Sequence, residues 1–258
     1  MTDSPHPVRL RGTVLGEGRP KICVPLVAAT VDDLAAAAAA LPFDVVDVVE
    51  LRIDFFDDVD DDSEVEAAID VVRGALPDET PLLFTFRSKP EGGQRDIDPD
   101  RYVGLLLLAA GNEAVDAIDV EMFTELGPLE RIVNGAHELG CAVVMSSHDF
   151  EHTPHEEQIV ARLLLQQDLG ADVVKIAVMP ESPRDVLTLL TATAEYVATK
   201  GVRPAITMAM GPLGVVSRLA GETFGSCLTF GSAGAASAPG QVDAVALRQV
   251  LDVVHEAQ

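Results

Sequence analysis

The segment Asp172-Val-Val-Lys-Ile-Ala-Val-Met179, followed by Ser182-Pro183 and a long run of leucine, alanine and threonine, sets the pattern for the whole chain. A short Val- and Ile-rich run reads as a buried strand, and proline just after serine marks the first turn of a helix. The same unit recurs in both directions. Strand-like runs occupy 22–28, 46–53, 82–86, 117–120, 142–146, 173–178, 205–210 and 227–230. Helical chemistry lies between them: Thr30 ahead of an alanine-rich run, Ser63 with Glu66 and Thr153 with Glu156 as capping boxes, and Asp98-Pro99 as a helix start. Gly111, Gly140, Gly170 and Gly201 stand where helices stop. Eight strand–helix units predict an α/β fold, a parallel sheet closed into a (β/α)8 TIM barrel. The alternative is an open doubly wound sheet, but no G-x-G-x-x-G follows the first strand.

The head of the chain departs from this pattern. Residues 9–15, then Gly16-Glu17-Gly18, then 19–24 read as a β-hairpin around a Gly-rich turn, with 8–20 closing the bottom of the barrel. The expectation is one barrel domain over 1–258. The acidic run 57–64 reads as a solvated loop, and the six alanines 35–40 carry no functional information.

Composition narrows the partners. The 258 residues contain 18 Lys+Arg against 42 Asp+Glu, a formal charge of −24, and 48% are hydrophobic, enough for a sizeable core. No basic cluster is visible, which argues against nucleic acid and anionic membrane as partners. Only Lys21, Lys89, Lys175 and Lys200 are lysines, and a lysine-poor, carboxylate-covered surface suits a salt-rich, halophilic cytoplasm. Three separated cysteines, Cys23, Cys141 and Cys227, read as buried free thiols rather than a disulfide frame, and no zinc-ligand spacing is present. The start lacks a cationic region followed by an apolar one, and no apolar run reaches a membrane span, so a cytoplasmic location is expected.

Alternate strand residues point into a barrel. Glu50, Arg52 and Asp54 share one parity, as do Thr85 and Arg87, Asp119 and Glu121, and Ser146 and His148; Lys175 stands alone on its strand, and Met208 and Met210 on theirs. Charges inside a barrel are costly unless paired or met by ligand, and these converge at the strand ends where barrel enzymes hold their active sites. Lys175 is the most informative. Its run offers no charge partner, so desolvation favours a free amine able to attack a ketone; pairing with Asp119 or Glu121 is the competing reading. His148 ends the neighbouring strand, suited to proton transfer, and Glu91, in the loop Glu91-Gly92-Gly93 after the third strand, is placed to orient it. Such chemistry calls for no metal and no cofactor.

Glu50-Leu-Arg52-Ile-Asp54, Phe84-Thr-Phe-Arg87 with Glu91-Gly-Gly93, Asp119-Val-Glu121, Ser147-His148-Asp149, Val174-Lys175-Ile176, Ser217-Arg218 and Ser237-Ala-Pro-Gly-Gln241 together resemble type I 3-dehydroquinate dehydratase. The resemblance runs from about Lys21 to Gln258 and includes the Gly-Glu-Gly-Arg-Pro segment near the start. It implies a (β/α)8 barrel, usually a homodimer, that dehydrates the small molecule 3-dehydroquinate through an imine in the shikimate pathway. By the resemblance, Lys175 forms the Schiff base with the C3 ketone. His148 takes the C2 proton and protonates the departing C1 hydroxyl, with Glu91 orienting it. Arg218, Ser237 and Gln241 hold the carboxylate, Glu50, Arg52 and Arg87 the hydroxyls, and Asp119 supports the network around lysine and histidine; Met208 and Met210, read from their strand, add polarizable surface in support. Residues 231–240 also read as a loop small enough to fold over ligand, or simply as a flexible loop. Two other functions stay open on the residues: a Schiff-base aldolase on the same barrel, and a metabolite-binding relative without turnover.

Overall fold

In a computed structural model of the chain, which describes residues 5–234 and 240–257, all eight expected strands form. The sheet order runs through β3 (Lys21–Leu26), β4 (Val48–Arg52), β5 (Leu82–Thr85), β6 (Ala117–Glu121), β7 (Ala142–Asp149), β8 (Val173–Val178) and β9 (Ala205–Ala209), all parallel. On its other edge β3 pairs with β10 (Leu228–Ser232), itself followed by the short β11 (Val242–Asp243), which the sequence pattern did not predict. Among the described residues the barrel closes between β9 and β10 through one backbone bridge, Ala205 to Ser226, where Cys227 N–H donates to the Ala205 carbonyl at 2.8 Å, and the Ser226 hydroxyl accepts the Thr207 N–H at 3.0 Å.

Outside the strands pack α1 (Val31–Ala39), α2 (Asp62–Ala75), α3 (Pro99–Ala110), α4 (Leu126–Glu138), α5 (Glu156–Asp168), α6 (Pro183–Thr199), the short α7 (Val215–Leu219) and α8 (Gly221–Phe224), and α9 (Ala244–Glu256). Most expected starts hold: Thr30 caps α1, Asp98 caps α3 ahead of Pro99, and Ser182 caps α6 ahead of Pro183. Two differ. Asp61, not Ser63, caps α2, because its carboxylate accepts both the Ser63 N–H and its hydroxyl. His155, not Thr153, precedes α5, since the Thr153 hydroxyl donates to the Met179 carbonyl at 3.0 Å. Cys23 and Cys141 are buried, whereas Cys227 is half-buried.

The head of the chain is a hairpin, but a shorter one than expected. Its strands are β1 (Val8–Leu10) and β2 (Thr13–Leu15), and it turns at Arg11-Gly12, with Arg11 in the left-handed region at φ 45°. Gly16–Gly18 is the link into β3, and Lys21–Leu26 belongs to the barrel. Asp116 explains the choice of turn: it takes the Arg11 guanidinium at 2.8 Å while accepting the Leu82 N–H at 2.8 Å, tying the hairpin tip to the barrel base.

Leu10 and Leu15 are buried against one inward residue from each barrel strand: Cys23, Val48, Leu83, Ala117, Val144, Val173, Ile206 and Leu228. That apolar layer fills the lower barrel, and the hairpin stoppers it. Two residues further along the strands, the side-chain period brings Pro25, Glu50, Thr85, Asp119, Ser146, Lys175, Met208 and Phe230 inward. The fold therefore stacks a polar layer directly on an apolar floor. Among the described residues no helix is long and apolar enough to cross a membrane.

Candidate active site

The polar layer is wired by charge. Lys175 Nζ lies 2.8 Å from Asp119 Oδ2 and 3.8 Å from Glu50 Oε1, and the ring centroid of Phe230 is 4.6 Å away. The amine thus has the acidic partner that the competing sequence reading assigned to it, in a site where only 3% of Lys175 is exposed. Glu50 Oε1 accepts from the Thr85 hydroxyl at 2.9 Å. Arg87, just past β5, donates to Asp119 at 2.7 Å, to Glu121 at 2.9 Å and to the Ser146 hydroxyl at 3.0 Å. Burial raises the energy of the Asp119 anion, but Arg87 and Lys175 outweigh it and hold the carboxyl well below the usual range. The same anions, acting against burial, hold Arg87 above its ordinary value.

His148, at the end of β7, is joined to Glu91, on the 3-10 turn Lys89–Glu91. Its Nδ1 lies 2.9 Å from Glu91 Oε2, which also accepts the His148 backbone N–H at 3.1 Å. Burial pushes Glu91 up to about 8, against the pull of Arg87. It pushes the His148 imidazolium down, helped by Arg87 and Lys175. Both shifts favour one proton shared by an otherwise uncharged pair. With Nδ1 engaged, Nε2 is the ring nitrogen left for chemistry.

A single cavity at the carboxyl ends of the strands takes in Lys175, His148, Glu91, Glu50, Arg52 and Arg87, with Met208, Met210, Phe230, Arg218 and Gln241 on its remaining walls. Arg52 enters it while bound in bidentate fashion to Asp54 (2.8 and 2.9 Å); Asp54 itself is fully buried in the turn beneath, so the third residue of that motif supports rather than faces the cavity. Arg218 is carried by α7, whose preceding turn is fixed by Ser217: its hydroxyl accepts the Ala209 N–H at 2.9 Å and donates to the Gly214 carbonyl at 2.7 Å. Burial lowers the Arg218 guanidinium to about 10. Gln241 reaches the wall because Gly240 packs on Gly211: a Cβ on Gly240 would lie 2.4 Å from the Gly211 carbonyl oxygen. Ser237 lies outside the described residues.

Three neighbours were not anticipated. Phe230 lies under the amine, and Phe150 lines the cavity against Gly92, where a Cβ would meet its ring at 2.2 Å. Gln166 is a fully buried amide on α5 that holds the Lys175 backbone. Gln166 left a sequence signal as a polar residue on the buried Ile159, Leu163 face of a helix, and Phe230 left one in its strand parity with Leu228.

An amine, an imidazole–carboxyl pair and a guanidinium facing one another at the carboxyl-terminal mouth of a (β/α)8 barrel define a barrel enzyme for a small polar molecule. Residues 22–258 match the family model described as type I 3-dehydroquinase. The chain is 51% identical over 249 residues to the 3-dehydroquinate dehydratase of a Listeria monocytogenes serotype 4b strain, covering 96% of this chain and 98% of that one. It is 48% identical over 248 residues to the enzyme of the same name from Bacillus licheniformis, covering 96% and 97%. The solved type I 3-dehydroquinate dehydratase of Clostridium difficile, with covalently modified comenic acid, superposes with TM-score 0.95 at 44% identity, over 98% of this chain and 100% of that one. The Enterococcus faecalis structure superposes with TM-score 0.89 at 39% identity, over 96% and 99%. The chain belongs to the type I 3-dehydroquinase family, hydro-lyases of the shikimate pathway.

Proposed function

We propose that this chain dehydrates 3-dehydroquinate to 3-dehydroshikimate through a Schiff base on Lys175. The observation that carries the reading is a buried amine, beside its carboxylate partner, in the same cavity as His148 and Arg218. The Lys175 nitrogen adds to the C3 ketone, and loss of water leaves an iminium that acidifies the C2 proton. His148, as base through Nε2, takes that proton. The resulting enamine expels the C1 hydroxyl, which leaves as water on receiving the proton back from His148. Hydrolysis of the conjugated imine then frees the product and restores the amine. Glu91 sets the ring's orientation and tautomer.

The substrate carboxylate is gripped by Arg218 with Gln241 and Ser237. Glu50, Arg52 and Arg87 meet the hydroxyls, Arg87 while also holding Asp119; Met208 and Met210 pack on the ring. Asp119 supports both lysine and arginine. Residues 1–258 act as one domain, as a homodimer in the cytoplasm, and the charge of −24 supports work at high salt.

Borohydride reduction in the presence of 3-dehydroquinate tests the reading. It expects a ligand-sized mass increase on Lys175, and loss of both adduct and turnover in Lys175→Ala. Turnover without any adduct, or an adduct elsewhere, overturns it.

A further inference from the structure

Gln166 does something that the cavity does not reveal. It sits on α5, outside the barrel wall, with no exposed surface. A primary amide in such a place is destabilising unless its donors and acceptor are met. They are met chiefly by one residue: Gln166 Oε1 accepts the Lys175 backbone N–H at 2.9 Å, and Gln166 Nε2 donates to the Lys175 carbonyl at 2.9 Å. The same nitrogen lies 3.4 Å from Met122 Sδ, just past the end of β6, the strand that supplies Asp119.

The planar amide therefore acts as a surrogate strand partner for a single residue, fixing both of its backbone groups at once. Lys175 is held twice, its main chain from outside by Gln166 and its nitrogen from inside by Asp119 at 2.8 Å. A lysine side chain has four rotatable bonds, so its nitrogen meets a carbonyl reproducibly only if its Cα origin is fixed. We propose that Gln166 is a positioning residue for imine formation, setting the backbone of Lys175 so that its nitrogen reaches the ketone at attack distance. This inference rests on the reading of Lys175 as the Schiff-base residue.

The next residue supplies the control. Gln167 also spends its amide on structure, its Oε1 accepting from the Tyr196 hydroxyl at 3.2 Å and from Val202 N–H at 2.9 Å, with no bond to the lysine. Losing either amide removes a comparable number of hydrogen bonds, but only one loss touches Lys175.

The experiment compares the wild-type chain with Gln166→Met, Gln166→Glu and Gln167→Met. Each is mixed with saturating 3-dehydroquinate and quenched with borohydride over a time course; adduct on Lys175 is counted per folded molecule, the folded fraction coming from denaturation curves. Gln166→Met is expected to slow imine formation and kcat by about 10- to 100-fold, with KM within about threefold of wild type. Gln166→Glu, which keeps the acceptor for the Lys175 N–H and loses the donor to its carbonyl, should fall between. Gln167→Met should lower stability and leave the adduct rate per folded molecule at the wild-type value. Wild-type imine rates in Gln166→Met, or equal slowing in Gln167→Met, overturn the inference. If Gln166→Met does not fold, a wild-type rate in Gln166→Glu overturns it. Absence of adduct on Lys175 in the wild-type chain is a separate result, which removes the Schiff-base reading and this inference with it.

Discussion

Lys175 and Asp119 meet at 2.8 Å at the centre of the barrel, and the second oxygen of that carboxylate is held by Arg87 at 2.7 Å. One anion on β6 therefore serves a buried guanidinium from just past β5 and a buried lysine from β8, two strands away, and neutralises part of the charge that the polar layer brings inside. Removing one partner of such a buried arrangement costs far more than the arrangement itself gains, because it strands a charge.

Asp119→Asn keeps the shape and removes the charge. Stability is expected to fall by about 3–5 kcal/mol, measured by chemical denaturation, and turnover should fall with it even where the protein remains folded. Equal stability in the variant would show that Glu50 and Glu121 suffice for Arg87 and Lys175.

The Glu91–His148 pair makes a pH prediction with a definite sign. Glu91 rises from 4.5 to about 8 on folding, so between those values the native state holds a proton that the unfolded chain has lost, and stability declines as pH rises. His148 is lowered from 6.5, so over the acidic part of that window the unfolded chain binds the extra proton and stability climbs with pH. The two oppose each other below 6.5, leaving a net decline from there to about 8. Thermal melts across this range should show the decline in the wild type and its loss in Glu91→Gln, once the slope common to both is subtracted.

Under the proposed mechanism the same titration acts on turnover in the opposite direction. An ionised Glu91 accepts the Nδ1 proton and leaves Nε2 with a lone pair, so kcat/KM should rise with pH toward a limb near 8. Profiles of Glu91→Gln should lack that limb and run lower by about 10²–10⁴-fold.

Arg218→Lys keeps the charge but loses the planar fork. KM for 3-dehydroquinate should rise by about 10- to 100-fold, with a smaller change in kcat. Equal losses in both constants would place the arginine's contribution in the transition state rather than in holding the carboxylate.

Leu15 tests the stopper at the other end. It is 1% exposed against the apolar floor, and Leu15→Ala should cost about 2–5 kcal/mol. kcat per folded molecule should stay at the wild-type value, because the polar layer is built on strands that the hairpin covers without entering.

The barrel was readable because its repeating unit is local. β8 has the bounds 173–178 expected of it, since Asp172 and the proline-bearing turn after Met179 fence in a run that is apolar except for Lys175. The parity of charges at the strand ends gave the polar layer, because side chains in a strand alternate whatever the neighbours do. What failed was decided by distant partners. Gly16-Glu17-Gly18 has stronger turn chemistry than Arg11-Gly12, yet the chain turns at Arg11 because Asp116, 105 residues away, waits for its guanidinium. Ser63 resembles a cap, but Asp61 lies closer to the start of α2 and takes that role. Likewise, no local pattern pairs Gln166 with the lysine nine residues on; that contact exists only once α5 has folded back over β8.

Among the described residues the one backbone bridge from Ala205 to Ser226 gives the cylinder a seam, while β7 and β8 are zipped over six residue pairs. Local opening is therefore expected first between β9 and β10, ahead of the β7–β8 pairing that runs to His148 and Asp149, and hydrogen exchange at the Cys227 amide against the β7 and β8 amides reads the difference.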